Sequence, residues 1–173
     1  TFRKKIALLI ESGIHLFAYH LPLDAHKKFG NNWPIAKLLG LENVAAFGKY
    51  KGVFLGIQGE CPSCSGEELY KKLQKIWKSD GMYVSGGKNL IQKVAFISGS
   101  GHKFFDYVLD GGVNCVIKGT HDEPMWHMAK EESVHYMAFG HYTTETTGVQ
   151  LLGEHLKEKF ELSHQFIGEN NPF

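Results

Sequence analysis

Phe139-Gly140-His141-Tyr142-Thr143-Thr144-Glu145-Thr146-Thr147-Gly148-Val149 is where one periodicity of the chain gives way to another. Residues 134–139 form a short apolar run, which predicts a buried strand. Val149, Leu151, Leu152 and Leu156 then recur at helical spacing, which predicts a helix over about residues 146–160. His141 therefore stands at a strand end, and Glu145 in or near a first helical turn. If the turn is helical from His141 onward, the i, i+4 spacing stacks both side chains on one face. An imidazole and a carboxylate converging there supply two ligands of a divalent-metal site. The competing reading is a solvated pair, with Glu145 favoured near a helix N-terminus.

Upstream, residues 14–19 read as a strand buried on both faces that delivers His20-Leu21-Pro22-Leu23-Asp24-Ala25-His26 at its carboxyl end. That end is where ligands bind in open α/β sheets. His20 and Asp24 are again a histidine and an acid four residues apart. Pro22 biases Leu21 away from helix, so this pair is expected on an extended turn. The alternative is that Asp24 caps the next segment and His20 is a satisfied imidazole. Two strand ends each carrying a histidine and an acid make the metal reading stronger than either pair alone.

The remaining elements alternate. Residues 2–12 have amphipathic helical spacing with Gly13 as a stop, and Asn32 and Pro34 open a helix that ends at Gly40. Residues 45–47 and 52–57 read as strands. Cys61-Pro62-Ser63-Cys64 precedes a capping box, Ser65 to Glu68, for a helix over residues 66–77. A C-x-x-C beside a helix start suits a reactive thiol or half of a zinc site. No second C-x-x-C occurs, and Cys115 is the one further thiol. Residues 78–92 are polar and glycine-rich around a short 82–84 strand, the one stretch that resembles a lobe boundary. Strand 94–98 leads into Gly99-Ser100-Gly101-His102 and an amphipathic helix carrying Phe104, Phe105, Val108 and Leu109. Such a turn can hold an anion on free backbone N–H groups at Gly99, Ser100 and Gly101. It lacks both the dinucleotide fingerprint and the P-loop lysine, and a tight turn explains it almost as well. Strand 113–117, helix 125–132 and a last strand over 163–167 complete the order.

The chain has 173 residues, 43% hydrophobic and 21% charged, which suffices for one good-sized core or two small lobes sharing one. A net charge of +1 gives no global electrostatic ground for binding nucleic acid or a membrane surface. No apolar run has membrane-spanning length, and three cysteines suit a reducing compartment, so a cytoplasmic protein is expected. The alternation of strands and helices predicts a mixed α/β architecture with parallel pairs and an α+β tendency.

The order of these features resembles a known family. Tyr19-His20-Leu21-Pro22-Leu23-Asp24-Ala25-His26, Gly30-Asn31-Asn32, Leu38-Leu39-Gly40, Ser98-Gly99-Ser100-Gly101, the 140–149 stretch and the closing Asn171-Pro172 together are similar to the Nif-three-like family, whose bacterial members are labelled GTP cyclohydrolase I type 2 homologues. The resemblance covers nearly the whole chain. It implies two α/β lobes with mixed, partly parallel sheets, placed here as residues 1–48 plus 130–173 for the metal-binding lobe and 49–129 for the second. It also implies a dinuclear metal centre, with Asp24, His141 and Glu145 as ligands and His20 as a fourth ligand or a supporting neighbour. One or two ions of Zn, Fe, Mn, Co or Ni suit that donor set. Family members carry an adjacent histidine pair in a preceding segment. No His-His occurs here, so the chain is expected to lack that amino-terminal portion. A ring-shaped homo-oligomer, commonly a hexamer, is implied as well.

Three functions follow as expectations. The first is a metal-dependent hydrolase acting on a nucleotide or other phosphorylated substrate, with residues 99–101 as an anion contact. The second is a non-catalytic metal-binding scaffold or regulatory partner. The third is thiol redox chemistry at Cys61 and Cys64.

Overall fold

The computed structural model of the chain describes residues 1–101, 108, 111–171 and 173. In chain order its elements are α1 (Phe2–Glu11), α2 (Leu21–Ala25), α3 (Trp33–Leu39), β1 (Glu42–Tyr50), β2 (Val53–Cys64), α4 (Gly66–Trp77), β3 (Met82–Val84), β4 (Ile91–Ile97), β5 (Cys115–Lys118), α5 (Glu123–Glu131), β6 (His135–Ala138), α6 (His141–Thr144) and α7 (Thr146–Phe160). The expected helix around Phe104, Phe105 and Leu109 lies outside the described residues, as do His102 and Pro172.

Six strands form one mixed sheet in the order β1-β2-β4-β5-β6-β3. The pairs β1–β2, β2–β4 and β3–β6 are antiparallel, whereas β4–β5 and β5–β6 are parallel. The parallel strands are apolar almost without interruption because both of their faces are covered. Val94, Phe96, Cys115, Ile117 and Met137 enter one core with Ile35 and Leu39 of α3 and Leu69 and Leu73 of α4. Their neighbours at period two, Ala95, Ile97, Val116, Tyr136 and Ala138, enter the other with Met125 and Ala129 of α5. The mixed α/β class expected from the alternation is therefore the class found. The segments 1–48 plus 130–173 and 49–129 both feed this sheet, since β6 lies between β5 and β3.

Several elements differ from expectation. Residues 14–19 form no strand, and Ile14, Leu16 and Phe17 are exposed. A strand needs a neighbour for its backbone groups, and none of the described strands pairs with this run. Residues 163–167 form no strand for the same reason. His164 instead packs back on α7, with Nδ1 3.0 Å from Glu154 Oε1. Pro22 does not hold its segment extended. It sits in the first turn of α2, where its missing N–H is not required. The strands around residues 45–57 are longer than expected, and Cys61 to Cys64 is the last part of β2. No helix among the described residues is long and apolar enough to cross a membrane.

Candidate functional site

Because β4, β5 and β6 run parallel, their carboxyl ends share one edge of the sheet, and each is followed within two residues by glycine. The Thr120 amide donates to Gly99 O at 2.9 Å and the Gly140 amide to Gly119 O at 2.8 Å, which ties the three strand ends together. Side chains are excluded at two of these positions. A Cβ on Gly119 would lie 2.6 Å from Gly99 O and Thr144 Oγ1, closer than nonbonded atoms approach. Gly99 has φ +65°, and its missing Cβ leaves the room taken by Glu145 Oε1 and His141 Nε2. Its amide donates to Thr144 Oγ1 at 3.1 Å, so that N–H is not free for an anion. Only Ser100 and Gly101 of the expected anion turn line the adjoining cavity.

His141 opens α6, and one helical turn brings its Nε2 to 3.2 Å from Glu145 Oε1. The i, i+4 stacking read from the sequence is thus present. Across the cavity, Asp24 is 6% exposed on α2 and held by a buried network. Asn31 Nδ2 donates to Asp24 Oδ1 at 2.7 Å, and Ser98 Oγ donates to the same oxygen at 3.3 Å. Asn31 Oδ1 accepts from the Gly148 amide at 2.7 Å, which fixes the network to the start of α7. Asn32 precedes α3 as expected but makes no capping bond. Its amide group donates to Asp24 O and Ser98 Oγ, and its Oδ1 accepts from the Ser98 amide. Asn31, Asn32 and Ser98 are site residues to which the sequence assigns no site role, although Gly30-Asn31-Asn32 and Ser98-Gly99-Ser100-Gly101 are among the motifs that carry the family resemblance.

His20, Asp24, His141 and Glu145 all line a single cavity of about 410 Å³. Leu21, Leu55 and Ile97 make its apolar walls, and Tyr50 and Lys51 reach it from the β1–β2 turn. His141 and Glu145 also line a second space with Tyr142, Phe166 and Ile167, so the pair is approached from two sides. Burial raises the Glu145 carboxyl above its ordinary range, and the Asp24 charge adds to this; His141 and His20 act in the opposite sense. Among the described residues, no three His, Cys, Asp or Glu side chains are close enough together to form a ready-made metal cluster.

The cysteines lie elsewhere, on β2 and β5. Burial and the neighbouring Cys64 push the Cys61 thiol up to about 11, and burial raises Cys64 too. Both thiols stay protonated near neutral pH, the opposite of a redox-active pair.

The family model for Duf34/NIF3 (NGG1p interacting factor 3) matches residues 1–172. A GTP cyclohydrolase 1 type 2 homolog of Chlamydia muridarum is 38% identical over 171 residues, which is 98% of this chain and 68% of the relative. The solved structure of protein ybgI, described as of unknown function, superposes with a TM-score of 0.90 at 33% identity, over 99% of this chain and 68% of that one. A protein of Thermus thermophilus gives 0.83 at 28% identity, over 99% and 67%. Agreement in sequence and fold over nearly every residue places this chain in the Duf34/NIF3 family.

Proposed function

We propose that this protein binds a divalent metal through Asp24, His141 and Glu145, with His20 as a fourth ligand or a supporting neighbour, and acts as a metal-dependent hydrolase on a nucleotide or other phosphorylated substrate. The observation that carries the proposal is the sharing of one cavity by two carboxylates and two imidazoles at the edge where the parallel strands end. The donors fit a hard or borderline cation such as Zn, Fe, Mn, Co or Ni, one or two per site. Both hydrogen bonds to the Asp24 carboxylate fall on Oδ1, leaving Oδ2 without a partner among the described residues. Glu145, held near a like charge, would be relieved by a cation.

A divalent ion would supply Lewis acidity and acidify a water at neutral pH. The chain's own groups do the rest. His141 completes the metal shell, His20 completes it or shuttles protons, the apolar walls exclude bulk water, and Ser100 and Gly101 contact the anionic part of the substrate. The relatives' name, GTP cyclohydrolase 1 type 2 homolog, makes GTP the first compound to test. A ring-shaped homo-oligomer and a cytoplasmic location belong to the same proposal. The exposed apolar side chains of α1 and the free thiols support them.

A second reading, a non-catalytic metal-binding scaffold or regulatory partner, would use the same donors without turnover of a substrate. Elemental analysis of the chain and of Asp24→Ala, His141→Ala and Glu145→Ala, purified without chelator, tests the site. Near-stoichiometric metal that is lost in the variants is expected. No metal above background in a folded chain would overturn the metal-dependent reading.

A further inference from the structure

We propose that the tip of the β1–β2 hairpin is the recognition element of the cavity, with Lys51 contacting the phosphates and Tyr50 the base of a nucleotide. The inference rests on reading the cavity as a ligand site. Its geometry follows from strand register. Ile57 of β2 pairs with Phe96 of β4, and the strands are antiparallel, so residues 53–55 extend past the point where β4 ends. The hairpin tip therefore stands over the same edge as Ser98, Ser100 and Gly101, and both Tyr50 and Lys51 line the cavity.

The turn itself is tight. Tyr50 pairs with Val53, and the two residues between them both have positive φ, 46° at Lys51 and 87° at Gly52. This mirror-image turn prefers Asn, Asp or Gly at its first central position, so a lysine there is a poor choice for the backbone. It brings a cation instead. Lys51 has no carboxylate partner among the described residues, and its Nζ lies 5.4 Å from the centroid of the Tyr50 ring. The cavity lining thus combines three chemistries: the Asp24 and Glu145 carboxylates, the apolar Leu21, Leu55 and Ile97, and the Lys51 ammonium beside the Tyr50 ring. With the proposed cation at the two carboxylates, a ligand with a flat ring, an apolar-tolerant body and an anionic tail matches Tyr50, the apolar walls and Lys51, which describes a nucleotide better than a free sugar or a peptide.

The test is equilibrium binding of GTP, guanosine and inorganic pyrophosphate to the parent chain, Lys51→Asn and Tyr50→Leu, each with EDTA and with Mn²⁺. Asparagine suits the left-handed position, so Lys51→Asn removes the charge without straining the turn. Lys51→Asn is expected to weaken GTP and pyrophosphate about ten- to a hundredfold, the effect of one charge-assisted contact, and to leave guanosine unchanged. Tyr50→Leu is expected to weaken guanosine and GTP about fivefold or more and to leave pyrophosphate unchanged. Metal content should stay at the parent's level in both. A parent that binds neither GTP nor pyrophosphate, or a Lys51→Asn chain that binds both as the parent does, overturns the proposal. The EDTA arm keeps this outcome separate from failure of the metal site, which the metal content alone reports.

Discussion

Burial and the Asp24 charge make the ionised form of Glu145 costly in the folded chain, so its carboxyl titrates above the ordinary 4.5. A raised carboxyl binds protons more readily folded than unfolded, and stability therefore falls as pH rises from 4.5 through the raised value. Glu145→Gln keeps an acceptor for His141 and removes the charge. In EDTA its thermal midpoint should exceed the parent's at pH 8, and the gap should close as pH falls towards 4.5; a midpoint below the parent's at every pH would refute this. Gly99→Ala acts on the same pair sterically. Its Cβ would overlap Glu145 Oε1 and lie 3.0 Å from His141 Nε2, at a positive φ that alanine disfavours. A loss of about 1–3 kcal/mol in urea unfolding is expected, together with loss of the metal proposed for this site. Asn31→Ala strips one bond from Asp24 and leaves the buried Gly148 amide unpaired, at a cost of about 1–3 kcal/mol in the same measurement. His141 and Glu145 were legible in the sequence because one helical turn joins them. The role of Asn31 was not, because its acceptor interaction reaches 117 residues along the chain.

At the scale of elements, α4 is the one whose start was fully written locally. Ser65 Oγ accepts from the Glu68 amide at 3.2 Å, and the Glu68 carboxylate accepts from the Ser65 amide at 2.8 Å. Ser65→Ala should cost about 1 kcal/mol in chemical denaturation, with the fold retained; an unchanged midpoint would show that packing of Leu69 and Leu73 alone sets the helix start. Residues 14–19 are the counterexample. Their apolar, β-prone composition predicts a strand, but a strand exists only through the ladder it joins. The same limit explains β1 and β2, whose mutual pairing carries both beyond their apolar centres.

For the whole molecule, α1 has no buried residue, and Phe2, Leu8, Ile10, Leu16 and Phe17 are exposed together in the first 17 residues. If this surface is covered in the proposed ring, sedimentation should show association of the parent and its loss in Leu8→Glu/Phe17→Glu; a monomeric parent would remove this support. The helices α1, α3, α4, α5 and α7, the capping box and the His141–Glu145 pair were legible in the sequence alone. Each depends on residues within a turn or two of one another, where backbone periodicity dictates neighbours. Tertiary structure decided which strands pair, that Lys118 is buried beside Asp122, that Gly99 is reserved for the site, and that Asp24 faces Glu145 across one cavity. Those outcomes depend on which distant segments meet in the packed sheet, and no local pattern of side chains specifies that.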